Sequence, residues 1–193
     1  MGKRHLQRSL QEWDGEAVTI SYKPFFLDPT IPPEGYDFLE YMQRKGGGRI
    51  PPERFFEGPR QMGLQAGIIF NFLDIPKAPN TALAHTLIAL TPVERQADMV
   101  EALYDAFFQY GQDVGDLDTL LTLAEKLELD RESMRAGLVD PKVRAKVEAE
   151  VQDAYRMGIA GVPFFVINRK YAFSGAQPPE VILGVFKQIS AKV

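Results

Sequence analysis

The sequence predicts an α/β protein in which a long, all-helical block is set inside a smaller mixed unit, and three observations carry that reading. An apolar stripe of helical spacing (Leu6, Leu10, Trp13) is followed by strand-like alternation of Val18, Ile20 and Tyr22 against Thr19 and Ser21. From about Glu34 to about Met157 the chain reads as successive helices punctuated by glycine, proline and capping residues. After Gly158 it returns to a short apolar strand, a tight turn, a second strand and a terminal helix. The order is α-β, helical block, β-β-α. The expected units are residues 1–33, residues 34–157 for the helical insertion and its returning helix, and residues 158–193.

The first helix covers residues 2–13 and ends at Asp14-Gly15. The strand of residues 17–23 leaves through Pro24, Pro29 and Pro32-Pro33, an extended exit that cannot continue as helix. Within the block, Gly46-Gly47-Gly48 is a break and Gly58-Pro59 interrupts a weak helix. Asn80 caps a helix carrying Leu83, Leu87 and Leu90. Thr91-Pro92-Val93-Glu94 has the form of a capping box with proline at the first helical position, where its missing N–H costs nothing. The helix it starts runs to Tyr110 and stops at Gly111. Asp116 caps the next, with Leu120, Ala124 and Leu127 inward. Asp140-Pro141 opens another, with Val143, Val147 and Val151 inward and Gly158 as its stop. Val162 to Ile167 is a buried strand, Asn168-Arg169 a tight turn, and Lys170 to Phe173 the returning strand. A final helix from Pro178-Pro179-Glu180 buries Val181, Ile182, Val185, Phe186 and Ile189.

Composition narrows the function. The formal net charge is −4, and the densest positive stretch, Lys3-Arg4-His5, is short and expected to be solvated, so no nucleic-acid partner is expected. No apolar run approaches a membrane span; the most apolar, Ile68 to Leu73, is short and broken by Asn71. Gln7, Arg8, Gln11 and Glu12 break any signal-peptide core, which places the expected location in the cytoplasm. There is no cysteine and there are two histidines, so neither a metal centre nor a cofactor site is expected. His85 reads as a partly buried core residue, and Asp113 and Asp116 as loop and cap residues. The pairs Phe25-Phe26, Phe55-Phe56, Phe70 with Phe72, and Phe107-Phe108 read mostly as core, with some left open as lining for a groove.

The run Gly158-Ile159-Ala160-Gly161-Val162-Pro163-Phe164-Phe165-Val166-Ile167, with Tyr171 and Ser174-Gly175-Ala176-Gln177-Pro178-Pro179-Glu180, resembles the C-terminal motif of the DsbA family, and in particular its cytoplasmic FrnE-like branch. Ala78-Pro79-Asn80-Thr81 with Ala84-His85, Tyr110 to Asp116, and the proline-rich stretch from Phe25 to Gly35 are similar to the same branch. The resemblance covers nearly the whole chain. It implies a thioredoxin-like fold carrying the helical insertion, a protein disulfide oxidoreductase or isomerase by descent, and a cis-proline at Pro163. Val162 and Pro163 would then bind substrate, the free backbone of Val162 pairing with an extended polypeptide.

In that family a first strand leads to a Cys-Pro-Trp-Cys-type motif, and Gly-Lys-Arg follows it. Here Gly2-Lys3-Arg4 follows Met1 directly, so the first strand and both cysteines have no counterpart in this sequence. Disulfide exchange needs a thiolate, and the only sulfur here is in six methionines. No catalytic residue is therefore assigned, and inactivity in dithiol exchange is expected. The missing strand would lie between residues 17–23 and Phe164–Ile167. The expectation is that the natural protein begins upstream or that another segment, such as a strand from a second chain, fills the gap. Two alternatives stay open. One is an enzyme like the kappa-class glutathione transferases and 2-hydroxychromene-2-carboxylate isomerases, which share the architecture and bind glutathione. The other is a non-catalytic peptide-binding or chaperone-like module. Expected partners are an extended polypeptide or client protein, with a homodimer possible in principle, and no membrane.

Overall fold

The computed structural model describes residues 1–48 and 51–191. Its chain order is α1 (Gly2–Gln11), β1 (Tyr36–Asp37), α2 (Phe38–Lys45), α3 (Pro52–Gln65), β2 (Lys77–Ala78), α4 (Ala82–Leu90), α5 (Gln96–Tyr104), α6 (Leu117–Lys126), α7 (Arg131–Val139), α8 (Pro141–Arg156), β3 (Phe164–Ile167), β4 (Tyr171–Ser174) and α9 (Pro179–Ser190). This is the thioredoxin-like arrangement with a large helical insertion.

The two ends of the chain build one unit. Helix α1 packs along α9, where Ile182, Phe186 and Ile189 are buried. Ser9, wholly buried between them, lies 2.9 Å from the carbonyl oxygens of both His5 and Pro179 and satisfies its hydroxyl there. Trp13 meets Phe186 edge-on at 5.7 Å. The hairpin β3–β4 pairs Phe164 with Ser174 through to Ile167 with Tyr171. Its turn places Asn168 and Arg169 at φ 53° and 56°. Three residues separate the paired Ile167 and Tyr171; the first two are left-handed, and the Lys170 N–H closes the turn on the Ile167 carbonyl at 3.1 Å. Phe165 stacks on Phe173 at 4.6 Å across the ladder.

The helical block has two cores. In one, Leu87, Met99, Leu120, Leu121 and Ala124 are fully excluded from water where α4 to α7 converge. The other is aromatic: Phe56 is stacked between Phe38 (5.7 Å) and Phe72 (4.6 Å), with Phe55, Phe70, Phe107 and Phe108 around them. The two-residue strands β1 and β2 pair antiparallel beside this core, Tyr36 opposite Ala78 and Asp37 opposite Lys77. Asp37, Asp116, Asp130 and Asp140 each cap a helix through the carboxylate, accepting a backbone N–H of its first turn.

Several expectations are corrected. Helix α3 runs unbroken through Gly58-Pro59; the burial of Phe56 outweighs one missing hydrogen bond. Thr91 caps nothing. Its hydroxyl and its N–H both donate back to the Leu87 carbonyl, so it closes α4 instead. The next helix begins as a 3₁₀ turn at Val93–Arg95 and ends as a π turn over Asp105–Gln109. That wide turn leaves the Phe108 and Gln109 carbonyls free to accept the main-chain and side-chain N–H groups of Asn71, both at 2.8 Å. Gly111 stops it at φ +61°, where a β-carbon would stand 2.5 Å from the Asp74 carbonyl oxygen. Asn80 accepts from the Ala82 N–H, but Thr81 occupies the cap position itself. Val181 is 44% exposed on α9 rather than buried.

The largest correction concerns residues 17–23. They form no ladder. Ala17 to Phe26 runs with neither turn nor bend, yet among the described residues none of the backbone groups of residues 17–23 pairs with another backbone group. The alternation of Val18, Ile20 and Tyr22 is that of a strand, but a strand is assigned by its neighbour, and none is present among the described residues. Among the described residues β3 is likewise paired on its β4 side alone. Between the two runs lies a cleft of about 460 Å³, floored by Leu6, Trp13, Phe186 and Ile189.

Candidate functional site

The first turn of α1 abuts the loop that leads into β3. Gly2 is buried against Pro163, and a β-carbon there would stand 2.6 Å from Pro163 Cγ and 3.0 Å from its Cβ. Only glycine allows the helix N-terminus to approach this closely. The Val162–Pro163 peptide bond is cis. The Pro163 carbonyl accepts the Gly175 N–H at 2.8 Å, which fastens the loop to the end of the hairpin. Val162 itself is half exposed, and among the described residues neither its N–H nor its C=O has a partner. The loop is thus held on both sides while one peptide edge stays open.

Gly2→Ala is expected to push α1 off the loop at a cost of about 1–3 kcal/mol, the usual range for overpacking. Thermal unfolding of the variant, read beside hydrogen exchange at Val162, checks this; an unchanged midpoint and unchanged exchange would contradict the contact.

Above this junction sits a cluster that sequence reading missed. Lys3 and Arg4 both pair with Glu101 on α5. The stretch read as solvated is therefore engaged, Lys3 being only 12% exposed at its side chain. His5 completes the departure from expectation: its Nδ1 lies 2.9 Å from the Gln177 carbonyl oxygen and so donates to it, tying α1 to the approach to α9. Burial and then the neighbouring Arg4 lower the Met1 ammonium. Burial first, and the Glu101 charge second, raise Tyr104 and Asp105; Tyr22 is raised by burial, then by Tyr104 and Glu101. No local pattern signals the pairing, because its members lie 97 and 98 positions apart.

Other candidates lie elsewhere. His85 is on α4, its ring 5.5 Å from Phe26. Asp113 accepts from Gly115 N–H and pairs with Lys77 at 2.7 Å, a loop role. The paired phenylalanines stay in the insertion or pack against Tyr155 and His85; the aromatic rings lining the cleft belong to Trp13, Phe164, Phe165, Phe173 and Phe186. Among the described residues no group of three or more His, Asp or Glu is placed to hold a metal ion, and no helix is long and apolar enough to cross a membrane.

The DSBA-like thioredoxin domain matches residues 1–187. The chain belongs to that family. Its fold superposes on a probable DsbA oxidoreductase of Streptomyces coelicolor with a TM-score of 0.87 and 30% identity, covering 100% of this chain and 84% of that one. It is 25% identical to the uncharacterized protein YwbO of Bacillus subtilis over 174 residues, 87% of this chain and 80% of that protein. A 2-hydroxychromene-2-carboxylate isomerase shares the fold at a TM-score of 0.66 and 16% identity, over 99% of this chain and 89% of that one. Within the DsbA-like family, then, this sequence presents the helix N-terminus and the loop of Val162 and Pro163 with no cysteine between them. These residues supply no thiolate, and dithiol exchange has no nucleophile here.

Proposed function

We propose that this chain is a polypeptide-binding member of the DsbA-like family that holds an extended client along Val162 and Pro163 and exchanges no disulfide with it. The observation that carries the reading is the open peptide edge of Val162. A donor and an acceptor are presented together on a loop fixed by Gly2 on one side and by the Gly175 N–H on the other. An extended peptide satisfies both groups at once, which is the logic of strand addition. The exposed Val162 side chain adds apolar surface to it. Membership of the FrnE-like branch and a cytoplasmic location belong to the same proposal, on the motif from Gly158 to Glu180.

Insulin reduced by dithiothreitol tests both halves in one measurement. The chain is expected to leave the onset of B-chain precipitation unaccelerated, yet to reduce the final turbidity when added in stoichiometric amount. An earlier onset would show thiol catalysis; turbidity equal to that of the protein-free control would show that no client is held.

A further inference from the structure

The open edge of Val162 depends on a loop whose fastening is itself held from α1. The Gly175 N–H grips the Pro163 carbonyl, and Gly175 belongs to the short link, residues 175–178, between β4 and α9. That link is weakly braced from within. Pro178 and Pro179 have no N–H to give. The Gln177 N–H donates to the Gly175 carbonyl at 2.9 Å, and the Gln177 side-chain amide to the Ser174 carbonyl at 2.8 Å. Both bonds close small loops between near neighbours, so neither fixes the link relative to the rest of the molecule.

Helix α1 supplies what is missing. His5 Nδ1 lies 2.9 Å from the Gln177 carbonyl oxygen and 3.3 Å from that of Ala176. Two acceptors facing one ring nitrogen require that nitrogen to carry a proton. One turn further on, the Ser9 hydroxyl reaches the Pro179 carbonyl at 2.9 Å. Gly2, His5 and Ser9 stand at i, i+3 and i+7, so one face of α1 meets the loop at Pro163, the link at Gln177 and the start of α9 at Pro179 in succession. The apolar packing of α1 on α9 has no preferred direction and leaves the link free to shift. A hydrogen bond weakens steeply with angle. The bond from half-buried His5 therefore sets where residues 175–177 lie, and Gly175 passes that position on to Pro163.

We propose that His5 is the positioning residue of the client site: by holding the Gln177 carbonyl it fixes Gly175, and through Gly175 it keeps the Val162–Pro163 loop where an incoming strand can pair with it. This rests on client binding at Val162.

Two variants of the full chain test it. His5→Leu keeps the bulk near the backbone and removes the donor. His5→Asn places an amide N–H where Nδ1 stood, since both nitrogens are bonded to Cγ. The probe is fluorescently labelled α-lactalbumin, reduced and carboxymethylated so that it stays unfolded, titrated with each protein and read by anisotropy; amide exchange is followed in parallel. His5→Leu is expected to bind roughly fivefold more weakly, the scale of one hydrogen bond. Its Gly175 N–H is expected to exchange faster by a similar factor, while the amides of Ile182 and Phe186 on α9 keep the parent rate. His5→Asn is expected to restore both binding and Gly175 exchange. Parent-like binding by His5→Leu would overturn this inference and leave the proposed function standing. So would a His5→Asn variant as weak as His5→Leu, which would assign the effect to the ring rather than the donor. Equal acceleration at Ile182 and Phe186 would show a packing role and overturn it as well. A parent chain that binds no client would remove the proposed function, and this inference with it.

Discussion

Phe56→Ala is expected to be the most damaging single truncation in the molecule, costing about 3–5 kcal/mol, the range for removing a buried aromatic ring. Phe56 is 2% exposed. It touches Phe38, Phe55 and Phe72 at centroid distances of 5.7, 5.4 and 4.6 Å. The surrounding rings are held in turn by Phe70, Phe107 and Phe108, so the vacated space has little freedom to collapse. For a chain of this length the thermal midpoint should fall by on the order of 10 °C. Phe56→Leu, which keeps most of the volume, should recover much of the loss. Calorimetry of the two variants decides the point; a midpoint within a degree or two of the parent for Phe56→Ala would show that the aromatic core does not hold the block together.

The second large effect is a loss of stability between pH 6.5 and pH 4, caused by His85. Burial lowers its pKa from 6.5 to about 4, opposed only in part by the hydrogen bond to the Phe25 backbone. The folded state therefore keeps the ring neutral where the unfolded chain has already protonated it. In that window the unfolded state binds the extra proton, so stability rises with pH and falls as acid is added. The contribution is intact above pH 6.5, erodes down to about pH 4, and is constant below. Its full size is on the order of 3 kcal/mol, at about 1.36 kcal/mol per pH unit. One carboxylate acts in the opposite sense at the acid end of the window: Asp105, raised by burial and then by Glu101, holds its proton more tightly in the folded state. Asp28, lowered chiefly by Lys45, Asp116, lowered by the Thr119 N–H, and Asp130, lowered by Ser133, give up their stabilisation only as acid reaches the ordinary carboxylate range and below. Urea titrations at pH 7, 5.5 and 4.5 should show the parent weakening stepwise and His85→Gln nearly flat. Equal slopes for both proteins would remove His85 as the cause.

What could be read from the sequence is what neighbouring residues decide among themselves. Asp116 and Asp140 announce their helices because the cap and the N–H it accepts lie two or three positions apart. Asn168-Arg169 announces the hairpin because a tight turn admits few conformations, although the loop takes in Lys170 as well. The motif around Val162 and Pro163 placed the candidate loop, and the resemblance it carried gave the family and the fold. What stayed hidden depends on distant partners. The alternation of residues 17–23 is a true strand pattern, yet its state is set by what lies beside it. Gly58-Pro59 looked like a break because the buried face of Phe56 has no local signature. Phe38, at the centre of the aromatic core, stood outside the paired phenylalanines and was passed over. Thr91 has the sequence of a cap and the geometry of a C-terminal closure, a distinction made by which carbonyl its hydroxyl reaches.

Glu101 has a wider consequence than its two ion pairs suggest. One carboxylate on α5 fastens the inserted block to the first turn of α1, which also bears on Pro163. The insertion and the loop are thereby mechanically linked through three consecutive residues, Gly2, Lys3 and Arg4. A force or charge felt on one side is handed to the other within a single helical turn, and because part of the connection is ionic, its stiffness is set by the salt around it.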